Sequence, residues 1–253
     1  MRIERVSGVL VLCVLCGAAN ANFTDFFESY PLHAWPSPKW VADGNADTDP
    51  SNNRVELDPT GGSNQVLKLH GQVGGNWAAL AYHPATFSSE YLLEVSVYNG
   101  SENIMGGNQP FRAGIGMRHG TYWWHVTNPS RTLLMFHGNG TLFAGDWTTE
   151  LGTYETERWY DIAIHYTRNA EDVLLQYWLD GTYLGAITSS IWDQSVEDSL
   201  DHLDLGIGGG SAHFDNIRLY TLGGPVAVPA PGALLLGMMG ATLAGWLRRR
   251  RAL

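Results

Sequence analysis

Cysteine is nearly missing from this chain of 253 residues, and its only two, Cys13 and Cys16, lie near the N-terminus. That segment, 1–21, reads as an export signal. Arg2 and Arg5 precede an apolar stretch from Val9 to Ala18, and Ala19-Asn20-Ala21 supplies the small-x-small pattern that a signal peptidase accommodates. Cleavage after Ala21 leaves no thiol, which excludes a disulfide framework and metal–thiolate chemistry in the remainder. Positive charge is also scarce, with 15 Lys and Arg against 25 Asp and Glu and a net charge of −10. Six of the basic residues (Arg2, Arg5 and Arg248 to Arg251) sit in the terminal segments with a single acid, Glu4, so the body between them is more acidic still. Such a surface argues against nucleic acid or anionic lipid as partner and is compatible with solubility outside the cell or with calcium. Neither Gly-x-Ser-x-Gly nor His-Glu-x-x-His occurs, which removes the commonest hydrolase signatures.

A sustained helical period is absent from the body, residues 22–221; only Trp192 to Leu203 is compatible with a turn or two. What is present is period-two alternation. Gln65 to His70 and Tyr91 to Tyr98 alternate apolar and polar, the second placing Leu93, Val95 and Val97 on one face. Further strands are expected at Arg112 to Met117, Tyr122 to Thr127, Arg131 to His137, Trp159 to Tyr166, Asp172 to Leu179, Thr182 to Thr188 and His213 to Tyr220, each bounded by Gly, Asn, Asp or Pro. Asp180-Gly181 between two of them predicts a hairpin through a type I′ turn. About a dozen strands in one domain point to an all-β, two-sheet antiparallel sandwich or jelly roll.

The C-terminal end has a different composition. After a linker at 222–227, Pro229-Ala230-Pro231 precedes an uncharged apolar run, 232–247, and Arg248, Arg249, Arg250 and Arg251 follow it. The run predicts a short transmembrane helix with the arginines on the cytoplasmic side. An export signal in front and a Pro-x-Pro, apolar span and polyarginine behind resemble the PEP-CTERM sorting signal of exported Gram-negative bacterial proteins, here over 228–253. Alanine stands where that family usually has glutamate between the prolines. The resemblance implies transient retention at the inner membrane, cleavage by an exosortase-type enzyme near Pro229 and Pro231, and delivery to the cell surface or extracellular matrix.

Within the body, Trp159 to Tyr166, Val173 to Leu179, Asp180-Gly181 and Leu184-Gly185 resemble the hairpin of laminin-G-like, concanavalin A-like domains. His213 to Tyr220 is similar to the last strand of such domains and of carbohydrate-binding jelly rolls, and Phe26 to Tyr30 to their opening. The resemblance implies that first and last strands meet, bringing Glu28 and Asp215 together as ligands of a structural calcium ion alongside backbone carbonyls. Asp43 to Asp49 carries alternating acids without the closing glutamate of an EF-hand and reads as a plain acidic loop.

Glycosidases of the concanavalin A-like class carry paired carboxylates on one strand, and that motif is absent. Glu155 and Glu157 come nearest but precede their strand and read as solvated loop acids. His119, His125 and His137 fall on separate strands or turns. The expectation is therefore a non-catalytic body. Ten Trp and 11 Tyr are the stronger clue. Trp123 and Trp124 are consecutive in an expected strand, so one faces outward as a platform for a sugar ring, with Arg112, Arg118, Asn128 and Arg131 to bond hydroxyls. Three readings stand: a surface-delivered sandwich binding polysaccharide or another matrix component, a structural envelope protein without ligand, and a glycan hydrolase or lyase, in that order of preference.

Overall fold

A computed structural model describes residues 22–71, 79–102, 111–119, 130–189 and 199–222. The chain divides into two units, Met1–Leu222 and Gly223–Leu253, and every described residue belongs to the first. The export signal with Ala19 and Ala21, the sorting segment with Pro229, Pro231, its apolar span and its four arginines, and the expected strand from Tyr122 to Thr127 with Trp123, Trp124 and the nearby Asn128 lie outside the described residues. Among the described residues no helix is long and apolar enough to cross a membrane.

In chain order the elements are β1 (Phe23–Asp25), β2 (Val41–Gly44), a single helical turn α1 (Asn45–Thr48), β3 (Arg54–Leu57), β4 (Gln65–Gly71), β5 (Ala79–Pro84), β6 (Glu90–Asn99), β7 (Phe111–Arg118), β8 (Ser130–His137), β9 (Thr141–Ala144), β10 (Glu150–Thr153), β11 (Trp159–Arg168), β12 (Val173–Leu179), β13 (Thr182–Ser189), β14 (His202–Ile207) and β15 (Gly210–Thr221). They form two antiparallel sheets, one of eight strands in the order β13-β12-β11-β6-β15-β4-β3 with β1 also on β15, and one of seven in the order β10-β9-β8-β7-β14-β5-β2. This is the expected all-β sandwich.

Alternation decides which face of each strand is buried. Leu93, Val95 and Val97 of β6, Ile162 and Ile164 of β11, and Leu67 and Leu69 of β4 join Ala113, Ile115 and Met117 of β7 and Leu203, Leu205 and Ile207 of β14 in one core. Asp180 and Gly181 both have positive φ, 49° and 75°, as a type I′ turn requires between β12 and β13. First and last strands do meet, Phe23 opposite Leu219 and Asp25 opposite Ile217.

Several strands carried no legible pattern. β1, β2, β3, β9 and β10 have three or four residues, too few for a period of two to register. β5 and β14 are buried on both faces over most of their length, so their outward positions are not polar-solvated and the alternation is masked. Two local readings are corrected. Asp43 and Gly44 end β2, pairing with Leu80 and Ala79, and Asn45–Thr48 turn as α1, so the acidic tract is no plain loop. Of Trp192 to Leu203, residues 192–198 lie outside the described residues, while His202 and Leu203 begin β14 instead of ending a helical turn, because β5 and β7 pair with them on either side.

Candidate functional site

Because Ala113, Ile115 and Met117 point into the core, Gly114, Gly116 and Arg118 fall on the other face of β7, and Asp204 and Gly206 do the same on β14. The register aligns Tyr82, Asp204, Gly116 and Thr132 in one row across β5, β14, β7 and β8, and His202, Arg118 and Ser130 in the next. Three glycines thus leave the middle of this face without side chains, and charged groups gather at one end.

Arg118 organises that end. Its side chain is 0% exposed; Nη1 donates to Asp43 Oδ2 at 2.7 Å, and Nε lies 3.4 Å from Asp204 Oδ2, whose side chain is also 0% exposed. The guanidinium carbon sits 3.7 Å from the centre of the Tyr82 ring, a cation–π contact strengthened by the exclusion of water. Tyr82 meets the His202 ring edge-on at 5.3 Å, and Asp201 lies between two imidazoles, in contact with His202 Nδ1 and 3.2 Å from His119 Nδ1. A continuous chain of groups, His119, Asp201, His202, Tyr82, Arg118 and the two aspartates, therefore spans the ends of β2, β5, β7 and β14. A buried cation held between two carboxylates satisfies itself only while both remain, so the arrangement is rigid and intolerant of truncation.

The connection 120–129, which carries Trp123, Trp124 and Asn128, departs beside Arg118 and returns at Ser130, the residue opposite it. Arg131 is half-buried at the same end, opposite Met117. Arg112 is not part of this cluster. It lies at the opposite end of β7, where its Nη1 donates to Gly100 O at 2.8 Å. His137 also lies at that far end, opposite Phe111, so His119 and His137 do not converge. Glu155 and Glu157 are exposed in the turn before β11, and Glu157 accepts from Ser101 Oγ at 2.9 Å.

Tyr82, Asp201, His202 and Asp204 carry no motif that singles them out in the sequence, and Asp43 stands out there only as part of an acidic tract. An aspartate inside His202-Leu203-Asp204-Leu205-Gly206-Ile207 was the available signal, since a charge within a buried strand demands a partner.

On the eight-stranded sheet, Glu28 and Asp215 are brought to consecutive residues: Gln65 N donates to Glu28 Oε1 at 3.0 Å and Asn64 Nδ2 to Asp215 Oδ2 at 3.0 Å. Asp215 is 4% exposed, and its Oδ1, like Gln65 Oε1, is buried with no hydrogen-bond partner among the described residues. Burial pushes the Asp215 carboxyl up to about 6, the Glu28 and Asp58 carboxylates adding to the effect against the bond from Asn64. Two residues away, burial pushes the His213 imidazole down to about 4. Acceptor oxygens without donors suit a hard cation. No group of three or more His, Cys, Asp or Glu side chains forms a metal centre among the described residues, so further ligands would be amide or backbone oxygens.

No protein-family model matches this chain, and no curated protein matches it in sequence. Solved structures do. Lectin II from Ulex europaeus is similar with a TM-score of 0.51 at 10% identity, over 80% of this chain and 99% of the lectin. A structure described with endo-acting O-glycanases of the human gut microbiota, which initiate mucin breakdown, has a TM-score of 0.53 at 11% identity over 80% and 100%. An endo-1,3-β-glucanase from Streptomyces sioyaensis has a TM-score of 0.51 at 11% identity over 81% and 97%. The expectation of a non-catalytic body is overturned by these likenesses: glycan-cleaving proteins share the fold as fully as the lectin does, and the missing strand motif does not exclude catalysis built from other positions. The chain has the fold of the concanavalin A and legume-lectin-like jelly-roll sandwiches.

Proposed function

We propose that this protein is an exported, glycan-engaging β-sandwich whose contact surface is the end of the seven-stranded sheet around Arg118. The observation that carries the reading is the Asp43–Arg118–Asp204 cluster on the face turned away from the core, because a sandwich needs no buried ion network there to close its hydrophobic interior. The network holds the β7 and β14 ends from which 120–129 departs and at which 190–198 arrives, and so provides a stiff base for a recognition surface. Trp123 and Trp124 supply stacking faces in this proposal, and Asn128 and Arg131 bond hydroxyls. A lectin and two glycan-cleaving proteins of the same fold direct the choice of ligand class towards sugars.

The test is retention of the purified protein on immobilised 1,3-β-glucan and mucin, with release of new reducing ends followed in the same incubations. Binding that falls on Trp123→Ala or Trp124→Ala supports the reading. Absence of binding to both polymers overturns it, and reducing-end release assigns the site to cleavage.

Two further parts of the reading concern export and a cation. Residues 228–253 act as a sorting signal that holds the protein at the inner membrane until an exosortase-type enzyme releases it to the surface or matrix; an unshortened mass at the final location would refute the processing step. A structural calcium ion bridges Glu28 and Asp215 with Gln65 Oε1 and carbonyl oxygens, the support being the two donorless buried oxygens. Its bound charge would tie the opening turn after β1 to β4 and β15. Calcium then raises the melting temperature of the wild type but not of Asp215→Ala, and no calcium effect on the wild type ends the proposal.

A further inference from the structure

The outward face of the eight-stranded sheet carries a row of rings that takes no part in the core. Val97, Tyr160, Ala212 and Phe214 point inward, so Tyr98 of β6, Trp159 of β11 and His213 of β15 fall on the opposite face. The register sets these three side by side, and Lys68 and Arg54 continue the row across β4 and β3. Ring contacts agree with the register: Tyr98 meets His213 edge-on at 5.5 Å and Trp159, tilted, at 5.6 Å.

Three carboxylates border the row. Trp159 Nε1 donates to Asp58 Oδ1 at 3.1 Å, and the backbone N–H of Glu157 donates to Asn99 O at 2.8 Å, next to Tyr98. Glu102 folds back over the end of β6, where its Oε2 accepts from Ser211 N at 3.4 Å and occupies the space that a Cβ on Gly100 would need. Burial, followed by the charges of Glu157, Asp58 and Glu102, pushes the Tyr98 hydroxyl up. The Glu102 and Asp58 charges also reach His213, where they oppose burial and the Lys68 charge. Arg54 and Lys68 both pair with Glu56, and Asp58, Glu102 and Glu157 form no ion pair among the described residues. The row also holds a polar atom without a partner: His213 is 7% exposed, and its buried Nδ1 makes no hydrogen bond among the described residues.

A buried ring nitrogen left unpaired costs free energy that a ligand can recover. Carboxylates spread around an aromatic row, without converging on one point, do not make a metal centre, and none occurs among the described residues. They suit a larger, weakly hydrated cation, an ammonium group on a carbon skeleton, which gains both ring-face attraction and charge-assisted hydrogen bonds. The net charge of −10 draws such a cation from solution. Trp159 is half-buried and Glu102 and Glu157 are exposed, so the rim is accessible, and the indole offers a stacking face to a sugar ring that carries the amine.

We infer that this row is a binding site for an ammonium group, carried by a glycan of unacetylated amino sugars. The choice of a sugar as carrier rests on the proposed glycan function; the ammonium rests on the row itself.

The experiment measures affinity of the full chain for the hexamer of glucosamine, for its N-acetylated counterpart and for hexalysine, at slightly acidic pH where the sugar amine is protonated. Tm is followed alongside in wild type, Glu102→Gln, Trp159→Ala and Glu150→Gln. Wild type is expected to bind the glucosamine hexamer about ten-fold more tightly than the acetylated one, and more tightly than hexalysine. Glu102→Gln should weaken the glucosamine hexamer about five-fold with Tm unchanged, and Trp159→Ala about ten-fold. Glu150→Gln removes an exposed acid on the other sheet and should have no effect. If Trp159→Ala lowers Tm, Glu102→Gln alone decides. Equal affinity for the acetylated hexamer overturns the ammonium site, as does a loss in Glu150→Gln as large as that in Glu102→Gln, which would show attraction by net charge alone. Tighter binding of hexalysine overturns the sugar carrier. Failure to bind any of the three probes overturns the whole inference, whereas the glycan reading at Arg118 falls only with retention on glucan and mucin.

Discussion

Arg118 and Arg218 lie on the outward faces of opposite sheets, and each meets a carboxylate near 3.4 Å, yet they do different things. Arg118 is 0% exposed between two aspartates and against a tyrosine ring. The Arg218 side chain is 37% exposed, reaches one Glu94 oxygen and lies over Phe26. The eight-stranded sheet thus carries ordinary half-solvated pairs, among them Arg54 with Glu56 at 3.0 Å and Lys68 with Glu56 at 3.5 Å. The seven-stranded sheet concentrates its charge in a water-excluded knot beside a strip of glycines. Coulombic attraction in the first setting is screened and in the second is not, so equal geometry implies unequal energetic weight.

That contrast is open to direct attack. Arg118→Ala strips the cation from two carboxylates, one fully buried, and is expected to lower stability by about 3–5 kcal/mol in denaturant titration; a loss under about 1 kcal/mol would make the two faces equivalent. Gly145→Ala drives a Cβ against the Thr132 carbonyl and should cost about 2 kcal/mol, read as a lower denaturation midpoint. On the other sheet, the Glu56 carboxyl is held below its ordinary range; burial acts to raise it, but the Arg54 bond and the Lys68 and Arg54 charges outweigh burial. A carboxylate with a depressed folded-state value contributes stability above its unfolded value of about 4.3 and loses it as pH falls through the folded value. Glu56→Gln should therefore flatten the acid limb of a stability profile below about pH 4, and an unaltered limb would remove this network from the account. The smallest effect is expected from Arg218→Ala, about 0.5 kcal/mol and weaker still in high salt.

Legibility followed from where water is. β4, β6 and β11 each keep one face in the core and one wholly or partly solvated, so their alternation survives in the sequence and their limits were read to within a residue or two. The Asp180-Gly181 hairpin was legible because its turn chemistry is local. β14 escaped because Leu203 to Ile207 are buried on both faces, and β2 because four residues on an edge hold no period. Among site residues, Arg118 was singled out for its charge near Trp123 and Trp124, but its partners were not. Asp43 reads as one of several acids in a polar tract, and only the pairing of β2 with β5 carries it to Arg118. Arg112 looks equivalent to Arg118 in the sequence, but it stands at the opposite end of the same strand, where it bonds Gly100.

By itself the sequence determined the class of architecture, the acidic and thiol-free chemistry of the body, the main strands and the hairpin, since these depend on composition and short-range periodicity. Which arginine is buried, which aspartates surround it and which carboxylates gather beside Trp159 were decided by the tertiary structure. Those outcomes depend on register between strands far apart in the chain, as between β5 and β14, where Ala79 lies opposite Ile207, on the route from Asp43 to Arg118, and no local pattern encodes a pairing that only the assembled sheets create.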